Sequence, residues 1–270
     1  MPAIHALLGR GLVAGPRIER AGLLFDGIDA TLGVDGLPQS GTGQTALLAG
    51  VNAAQLHGRH QPHVPPVALR VLLAEQNMLR RVIARGGTAT FANAFTAGYW
   101  DGLAARRIRR SASVIAAEGA GVRFRDLDDL RQGRALSWDI TGAVLRERGA
   151  DVPLVTPEQA GIALARLADD HDLVFYENFL PDLAGHGRVD LPMTMVFAQI
   201  DALIGAAIAA LRPADTLVLT SDHGNSESIA APTHTRNPVP LLVVGPGAAA
   251  FTNVRDISQI AEAVLSIRDS

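Results

Sequence analysis

The chain has 270 residues, of which 48% are hydrophobic, and this is enough for one large α/β domain with a sizeable core. Its net charge of −3 excludes a strong basic field of the kind that binds nucleic acid. Cysteine is absent and all 24 basic residues are arginine, which excludes disulfides, thiol chemistry and a lysine general base. Because no segment resembles a signal core or approaches membrane-spanning length, we expect a cytoplasmic protein with no membrane partner.

Apolar spacing predicts helices and strands in alternation along the chain. Residues 36–50 are typical of a loop that runs into a helix, and residues 66–85 have helical spacing up to a Gly-Gly stop. A further helix is predicted at 157–169, for which Thr156 is a typical N-cap. The remaining predicted elements are strands at 88–92, 173–176, 216–220 and 239–244 and helices at 193–211 and 257–267.

This alternation predicts an α/β fold with a mostly parallel sheet and helices on both faces of the sheet. Active sites of such folds lie beyond the carboxyl ends of the strands. Residues 96–151 differ in character, and we predict that they form a small cap or insertion on a core made of residues 1–95 and 152–270.

The predicted insertion is rich in arginine, with acidic residues between the arginines. One interpretation is a solvated charged surface, and the other is that one or two arginines clamp a phosphate. The arginines concerned are Arg106, Arg107, Arg109, Arg110, Arg123, Arg125, Arg131 and Arg134.

Three short segments in the C-terminal third carry Asp or His where a strand is expected to enter a turn. They contain Asp182 with His186, the adjacent pair Asp222 and His223, and His234. Carboxylate and imidazole are the ligands of a catalytic divalent cation when no thiolate is available. Five ligands exceed the need of one ion with an open position, so we predict two neighbouring ions that act together at phosphorus. Each histidine taken alone is more often structural, but their joint occurrence with the aspartates favours metal binding.

A nucleophile is predicted at Ser40, just before the helix that ends near Gly50. Backbone N–H groups and the positive end of the helix dipole stabilise an anion at such a position, and a metal would lower the pKa of the hydroxyl. The alternative is that Ser40 is an ordinary N-cap. Thr42 and Thr45 are competing hydroxyls, although both are expected inside the first turn.

Substrate contacts are predicted for Arg59, His60 and Asn225. Two alternatives remain for the residues that follow the helix. Arg59 and His60 could hold the helix end, or His57, His60 and His63 could form another metal site.

The three C-terminal segments resemble metal-binding motifs of the alkaline phosphatase superfamily. The motifs are Asp-x-x-Gly-His at 182–186, Asp-His-Gly-Asn at 222–225 and His-Thr-x-Asn-Pro-Val-Pro at 234–240. They are most similar to the branch of cofactor-independent phosphoglycerate mutase and phosphopentomutase, over about 29–244 outside the cap. The resemblance implies an alkaline-phosphatase-like core.

The resemblance also implies a ligand set for two divalent ions, Mn²⁺ or Zn²⁺. The first ion would be bound by Asp182, His186 and His234, and the second by Asp222, His223 and Ser40. Ser40 would then carry the phosphoryl group as a phosphoserine intermediate.

The sequence departs from the superfamily at its beginning. Members usually open with a hydrophobic strand that ends in Asp-Gly and whose aspartate helps to hold the second ion, and nothing before Ala21 resembles it. Leu23–Gly27 imitates this strand, but Asp26 lies 14 residues before Ser40, too close for an intervening helix. We therefore expect the first strand of the family to be missing and the second ion to be weakly held.

We expect a metal-dependent phosphomonoester hydrolase or phosphomutase that acts on a small phosphorylated metabolite and binds no nucleic acid. The lack of lysine argues against phosphoglycerate mutase activity itself. One alternative is a degenerate, non-catalytic metal-binding relative that lacks the second ion site. Another is a sulfatase or a phosphonate-processing enzyme. The substrate and the oligomeric state are not predicted.

Overall fold

The computed structural model describes residues 1–228, 231 and 233–267. The helices are α1 (Pro2–Leu8), α2 (Ser40–Ala49), α3 (Ala53–His57), α4 (Arg70–Gln76), α5 (Met78–Ala84), α6 (Ala97–Ala104), α7 (Ala112–Ala120), α8 (Leu127–Arg131), α9 (Ala143–Glu147), α10 (Pro157–Leu167), α11 (Leu180–Gly185), α12 (Met193–Ala210) and α13 (Ile260–Ser266). The strands are β1 (Ile18–Arg20), β2 (Leu23–Ile28), β3 (Ala89–Phe91), β4 (Leu173–Phe175), β5 (Leu217–Leu219) and β6 (Val239–Val244). Short 3₁₀ helices occupy Val67–Leu69, Pro246–Phe251 and Ile257–Gln259.

These elements form two compact units. Unit 1 comprises Met1–Gly11, Thr88–Arg109 and Arg123–Arg212, and unit 2 comprises Leu12–Gly87, Arg110–Val122 and Pro213–Ser270. Helix α7 belongs to the predicted insertion, yet it packs against α4 and α5 within unit 2. The division into a core at 1–95 and 152–270 and an insertion at 96–151 stays a prediction.

Unit 2 is built on a four-stranded sheet in the order β1–β2–β6–β5. Each neighbouring pair is antiparallel, and Leu242 of β6 lies opposite Phe25 of β2 on one side and Leu219 of β5 on the other. The prediction of a mostly parallel sheet is wrong for this sheet. Apolar spacing locates a strand but does not give its direction, and β6 runs against both of its neighbours.

One apolar cluster joins this sheet to helices α2, α3 and α13. Leu24, Leu241 and Val243 of the sheet are almost fully buried and pack in one cluster with Ala46 of α2 and Ile260 of α13. Burial stabilises a side chain of leucine size by about 1.5–3 kcal/mol. This core therefore fixes α2, and with it the residue at which the helix begins.

The prediction of a single helix over 66–85 is wrong, because the chain breaks into two helices at Asn77. The break has a local cause. The Asn77 side chain is buried and donates to the carbonyls of Leu73 and Ala74 at the end of α4. Its Oδ1 accepts from the backbone N–H of Arg80 at 3.0 Å and so caps α5. Asparagine ends one helix and begins the next because its short side chain competes with the backbone for hydrogen bonds.

Unit 1 contains a second sheet, in which β3 and β4 pair in parallel with Phe91 opposite Phe175. The predicted parallel arrangement is confirmed for this pair. Helix α10 begins with the predicted cap, since Thr156 and Gln159 form a reciprocal capping box. Helix α10 packs along α12, which is the longest helix in the described part of the chain.

Helix α12 is the one described helix that is long and apolar enough to cross a membrane. Its 18 residues have a mean hydropathy of 1.7, and 28% of them are buried. A single helix of this kind is weak evidence for a membrane span, because core helices pass the same test. The cytoplasmic location stays a prediction.

Asp201 of α12 ties α1 to unit 1, and its replacement should weaken the fold. The buried carboxylate accepts from the backbone N–H groups of Ala3 at 2.9 Å and Ile4 at 2.8 Å. Asp201→Asn would turn an amide donor toward one of these donors, so we expect the free energy of unfolding to fall by about 1–3 kcal/mol in urea titrations. Asp169→Asn is the control, because Asp169 contacts Arg212 on the surface, and it should cost no more than about 0.5 kcal/mol. Equal stability of both variants would contradict this role for Asp201.

Candidate active site

Ser40 is the first residue of α2, and Gln39 in extended conformation precedes it as the N-cap. The prediction that Ser40 lies just before the helix is therefore wrong by one residue, and so is the N-cap alternative. Ser40 therefore does not occupy the capping position of α2. Its Oγ lies 2.9 Å from Nε2 of His223 instead. A hydroxyl at this position faces a predicted metal ligand rather than its own helix.

The two competing hydroxyls of α2 are bound to backbone. Thr42 Oγ donates to the Gln39 carbonyl and accepts from the N–H of Gln61, and Thr45 Oγ donates to the Gly41 carbonyl at 2.6 Å. Both threonines are fully buried. Ser40 is thus the best placed of the three hydroxyls for chemistry.

Asp222 and His223 follow β5, as the sequence predicts. His223 is 6% exposed, and its Nε2 lies 3.5 Å from Oδ2 of Asp222. That carboxylate oxygen is buried and accepts no hydrogen bond within the described part of the chain. A buried, unsatisfied carboxylate oxygen is costly unless a cation or a donor satisfies it.

His234 lies against the loop that leads into α2. Its Nδ1 donates to the Pro38 carbonyl at 2.8 Å, which assigns the proton to Nδ1 and leaves the lone pair on Nε2. A backbone carbonyl on the second ring nitrogen is the usual support of a metal-binding histidine. The His234 ring stacks on that of His223, with ring centroids 3.7 Å apart and planes at 17°.

The segment between β5 and β6 contains two stretches, the loop of His223 at 220–228 and the loop of His234 at 233–238, and Glu227 of the first stretch joins it to the second. It accepts from the backbone N–H of Asn225 at 2.7 Å, from the Nδ2 of Asn237 at 3.0 Å and from the Thr235 hydroxyl. Desolvation by its neighbours raises the pKa of Glu227, but these hydrogen bonds outweigh it and hold the pKa below its ordinary value. Sequence reasoning missed Glu227. The available signal was a carboxylate two residues after Asn225, between two ligand motifs.

Asp182 and His186 lie in unit 1, at α11. The predicted turn between them is wrong, because Leu180–Gly185 forms a short helix with proline in its first turn. Helical spacing of four residues puts both side chains on one face. Asp182 Oδ1 and His186 Nε2 are consequently 3.3 Å apart.

The residues predicted to contact substrate differ in their surroundings. Arg59 is exposed, and His60 lies 3.3 Å from the carbonyl of Val34 through its Nε2. Asn225 is 5% exposed and its N–H is held by Glu227. No described trio of ligand atoms forms around His57, His60 and His63, so nothing favours the alternative metal site there.

Several arginines of 96–151 pair with nearby carboxylates. Arg125 is buried and donates to Thr90, and this burial lowers its pKa. Arg123 and Arg134 share the buried carboxylate of Asp129. The other carboxylate pairs described are Arg110 with Glu118 and Arg131 with Asp128 and Asp151. These pairs favour a charged surface over a phosphate clamp.

The donor atoms fit divalent metal. Ligands at about 2.1 Å from one ion, with angles of about 90–110°, lie about 3.0–3.4 Å from each other. The separations of Ser40 from His223, of Asp182 from His186 and of Asp222 from His223 are 2.9, 3.3 and 3.5 Å. These separations, the oxygen and nitrogen donors and the unsatisfied Asp222 oxygen all suit a cation.

Residues 158–267 match the family model of the Metalloenzyme superfamily. The match confirms the predicted resemblance to metalloenzymes. The matched segment contains all five predicted metal ligands, and Ser40 lies outside it. The match supports binding of a divalent metal by this metalloenzyme-like segment.

Curated relatives are phosphomutases. The chain is 29% identical over 120 residues to the 2,3-bisphosphoglycerate-independent phosphoglycerate mutase of Cereibacter sphaeroides (strain ATCC 17025 / ATH 2.4.3), an alignment that covers 41% of this chain and 24% of the relative. It is 45% identical over 67 residues to the phosphopentomutase of Methylobacterium radiotolerans, covering 24% of this chain and 16% of the relative. The chain thus spans less than a quarter of the length of the relatives it matches.

A solved alkaline phosphatase has the same fold. The structure of the enzyme from the Antarctic bacterium TAB5 superposes with a TM-score of 0.53 at 11% identity, over 91% of this chain and 88% of that chain. The likeness identifies the α/β fold as alkaline-phosphatase-like.

Proposed function

We propose that this chain is a metal-dependent phosphoryl-transfer enzyme that acts on a small phosphorylated metabolite, with Ser40 as the nucleophile. One observation carries the proposal. Ser40 Oγ, at the start of a helix, lies 2.9 Å from the imidazole of the Asp-His-Gly-Asn motif rather than capping the helix. The phosphomutase relatives support the reaction class.

Each proposed ligand has a role in one of two ion sites. By the sequence resemblance, Asp182, His186 and His234 would bind the first ion, and Asp222, His223 and Ser40 would bind the second. When bound, the ions supply positive charge that lowers the pKa of a hydroxyl and neutralises the phosphoryl oxygens.

The chain's own residues perform a two-step transfer. The Ser40 oxygen, after losing its proton to water, attacks phosphorus in line while the bond from phosphorus to the departing oxygen breaks. The departing oxygen takes up a proton from water and leaves as an alcohol. Backbone N–H groups of the first turn of α2 face the phosphoryl oxygens. Water or a second hydroxyl then takes the phosphoryl group from phosphoserine and frees Ser40. Water as acceptor gives a hydrolase, and an alcohol of the same metabolite gives a mutase.

Metal removal tests this proposal. Removal of metal with a chelator should lower the rate of p-nitrophenyl phosphate hydrolysis by about 100-fold or more, and added Mn²⁺ or Zn²⁺ should restore the rate. Parallel assays with phosphopentoses and phosphoglycerates, followed by ³¹P NMR, would separate phosphate release from transfer between hydroxyls. Absence of activity toward a wide panel of phosphate and sulfate esters, measured with metal added, would refute phosphoryl transfer.

A non-catalytic metal-binding relative is the second candidate, and one contact favours it. Asp26, the aspartate of the local Asp-Gly sequence, lies within β2 and pairs with Arg17 at 3.3 Å. An aspartate engaged in this way leaves the second ion with few ligands. Elemental analysis distinguishes the candidates, because this relative binds one ion per chain and the proposed enzyme binds two.

A further inference from the structure

We propose that Glu227 is a positioning residue, which clamps the loop of His223 to the loop of His234 and so holds both imidazoles in place for ion binding. The inference rests on the proposed function, in which these histidines are metal ligands. Glu227 itself is not proposed to contact ion or substrate. It acts through the two loops.

The contacts of Glu227 run to both loops at once. One carboxylate oxygen accepts from the backbone N–H of Asn225, two residues after His223. The other accepts from Asn237 and from the hydroxyl of Thr235, which is the residue next to His234. A carboxylate accepts all three hydrogen bonds without offering a donor, and hydrogen bonds to a charged group are stronger than neutral ones.

A backbone bridge reinforces the clamp. The N–H of Thr235 donates to the Gly224 carbonyl at 3.0 Å, in an isolated antiparallel bridge between the two loops. A methyl group on Gly224 would collide with the Thr235 hydroxyl and lie 2.7 Å from Oε1 of Glu227. Gly224 therefore lets the clamping side chains cross directly over the backbone next to His223.

Glu227 is exposed, which separates its role from core packing. An exposed carboxylate that accepts hydrogen bonds from two loops restricts the motion of these loops and adds little buried area. The result of that order is the close stack of the two imidazoles, at 3.7 Å between ring centroids. Residues that support metal ligands in this way typically change metal affinity or activity by about 10- to 100-fold when altered.

The test compares ion binding by wild-type protein and Glu227→Gln, with Mn²⁺ as the probe. Calorimetry and Mn²⁺ EPR should give a Kd about 10- to 100-fold weaker for the variant, because glutamine turns a donor toward one loop. Glu262→Gln is the matched control, since this exposed carboxylate binds Arg81 at 2.9 Å, and its Kd should stay that of the wild type. Thr235→Val removes a single donor and should give a smaller weakening, which keeps the test valid if Glu227→Gln does not fold.

The outcomes separate the inference from the proposed function. Wild-type protein that binds no Mn²⁺ overturns the proposed function together with the inference. Wild-type binding that Glu227→Gln and Thr235→Val both leave unchanged overturns the inference alone. A loss of affinity that is no larger when Thr235→Val is added to Glu227→Gln supports the clamp, because the two residues then act as one unit.

Discussion

Replacing Ser40 with alanine is expected to reduce phosphoryl transfer at least roughly 1,000-fold while the protein keeps its fold. The hydroxyl is the proposed acceptor of the phosphoryl group, and Ser40 lies inside α2 rather than at its N-cap, so the helix would lose no cap. Steady-state rates with p-nitrophenyl phosphate measure the first effect. Mass spectrometry of the wild-type protein after acid quenching should locate one phosphoryl group on the peptide that contains Ser40.

A neighbouring hydroxyl provides the control for this experiment. Thr45→Ala removes a buried hydroxyl whose only assigned bond goes to the Gly41 carbonyl, so it should cost about 1 kcal/mol of stability and keep the rate within tenfold. Full activity of Ser40→Ala, or a phosphoryl group found on Thr45, would move the nucleophile away from Ser40.

Gly43→Ala is the second change with a large expected effect. A Cβ atom at Gly43 would lie 2.5 Å from the carbonyl oxygen of Asp222, which is too close, and 3.2 Å from the Asp222 Cβ, which is tight. Either the first turn of α2 or the loop of Asp222 must move, and a displacement of about 1 Å is enough to cost roughly 100-fold in rate. We expect the rate to fall by this amount and Mn²⁺ affinity to fall with it.

Gly98 of α6 offers a control with the same substitution in a helix. A Cβ atom there meets its nearest neighbour, the Thr96 hydroxyl, at 3.8 Å, which is an ordinary contact. Gly98→Ala should therefore leave both the rate and the ion affinity unchanged and should favour the helix slightly. If the two alanine variants behave alike, close approach of α2 to Asp222 is not what the site requires.

The sequence predicts well those features that local chemistry decides. The helix at Pro157–Leu167 follows from a capping box and helical spacing, and the strand at Leu173–Phe175 follows from an apolar run. Strand direction was not predictable in the same way. The β2–β6–β5 arrangement depends on long connections, and the side-chain pattern of a strand is the same in either direction.

The candidate site shows the same limit. Residue type and spacing identify Asp222, His223 and His234 as candidates, because few residue types can bind a divalent metal. Glu227 was missed because a glutamate in a loop is common, and only the folded loops bring its two oxygens to three donors. The sequence likewise did not decide the role of Ser40. A helix cap and a nucleophile can both be serine, and the two roles differ only in the partner of the hydroxyl.

The hydrogen bond from His234 to Pro38 has a thermodynamic consequence for the proposed enzyme. Pro38 stands two residues before Ser40, so the segment that delivers the hydroxyl is fastened to an imidazole proposed to bind the first ion. An event that orders one end of this connection lowers the entropic cost of ordering the other. We therefore expect the binding of cation and the binding of phosphoester to be cooperative, with each strengthening the other by the same factor.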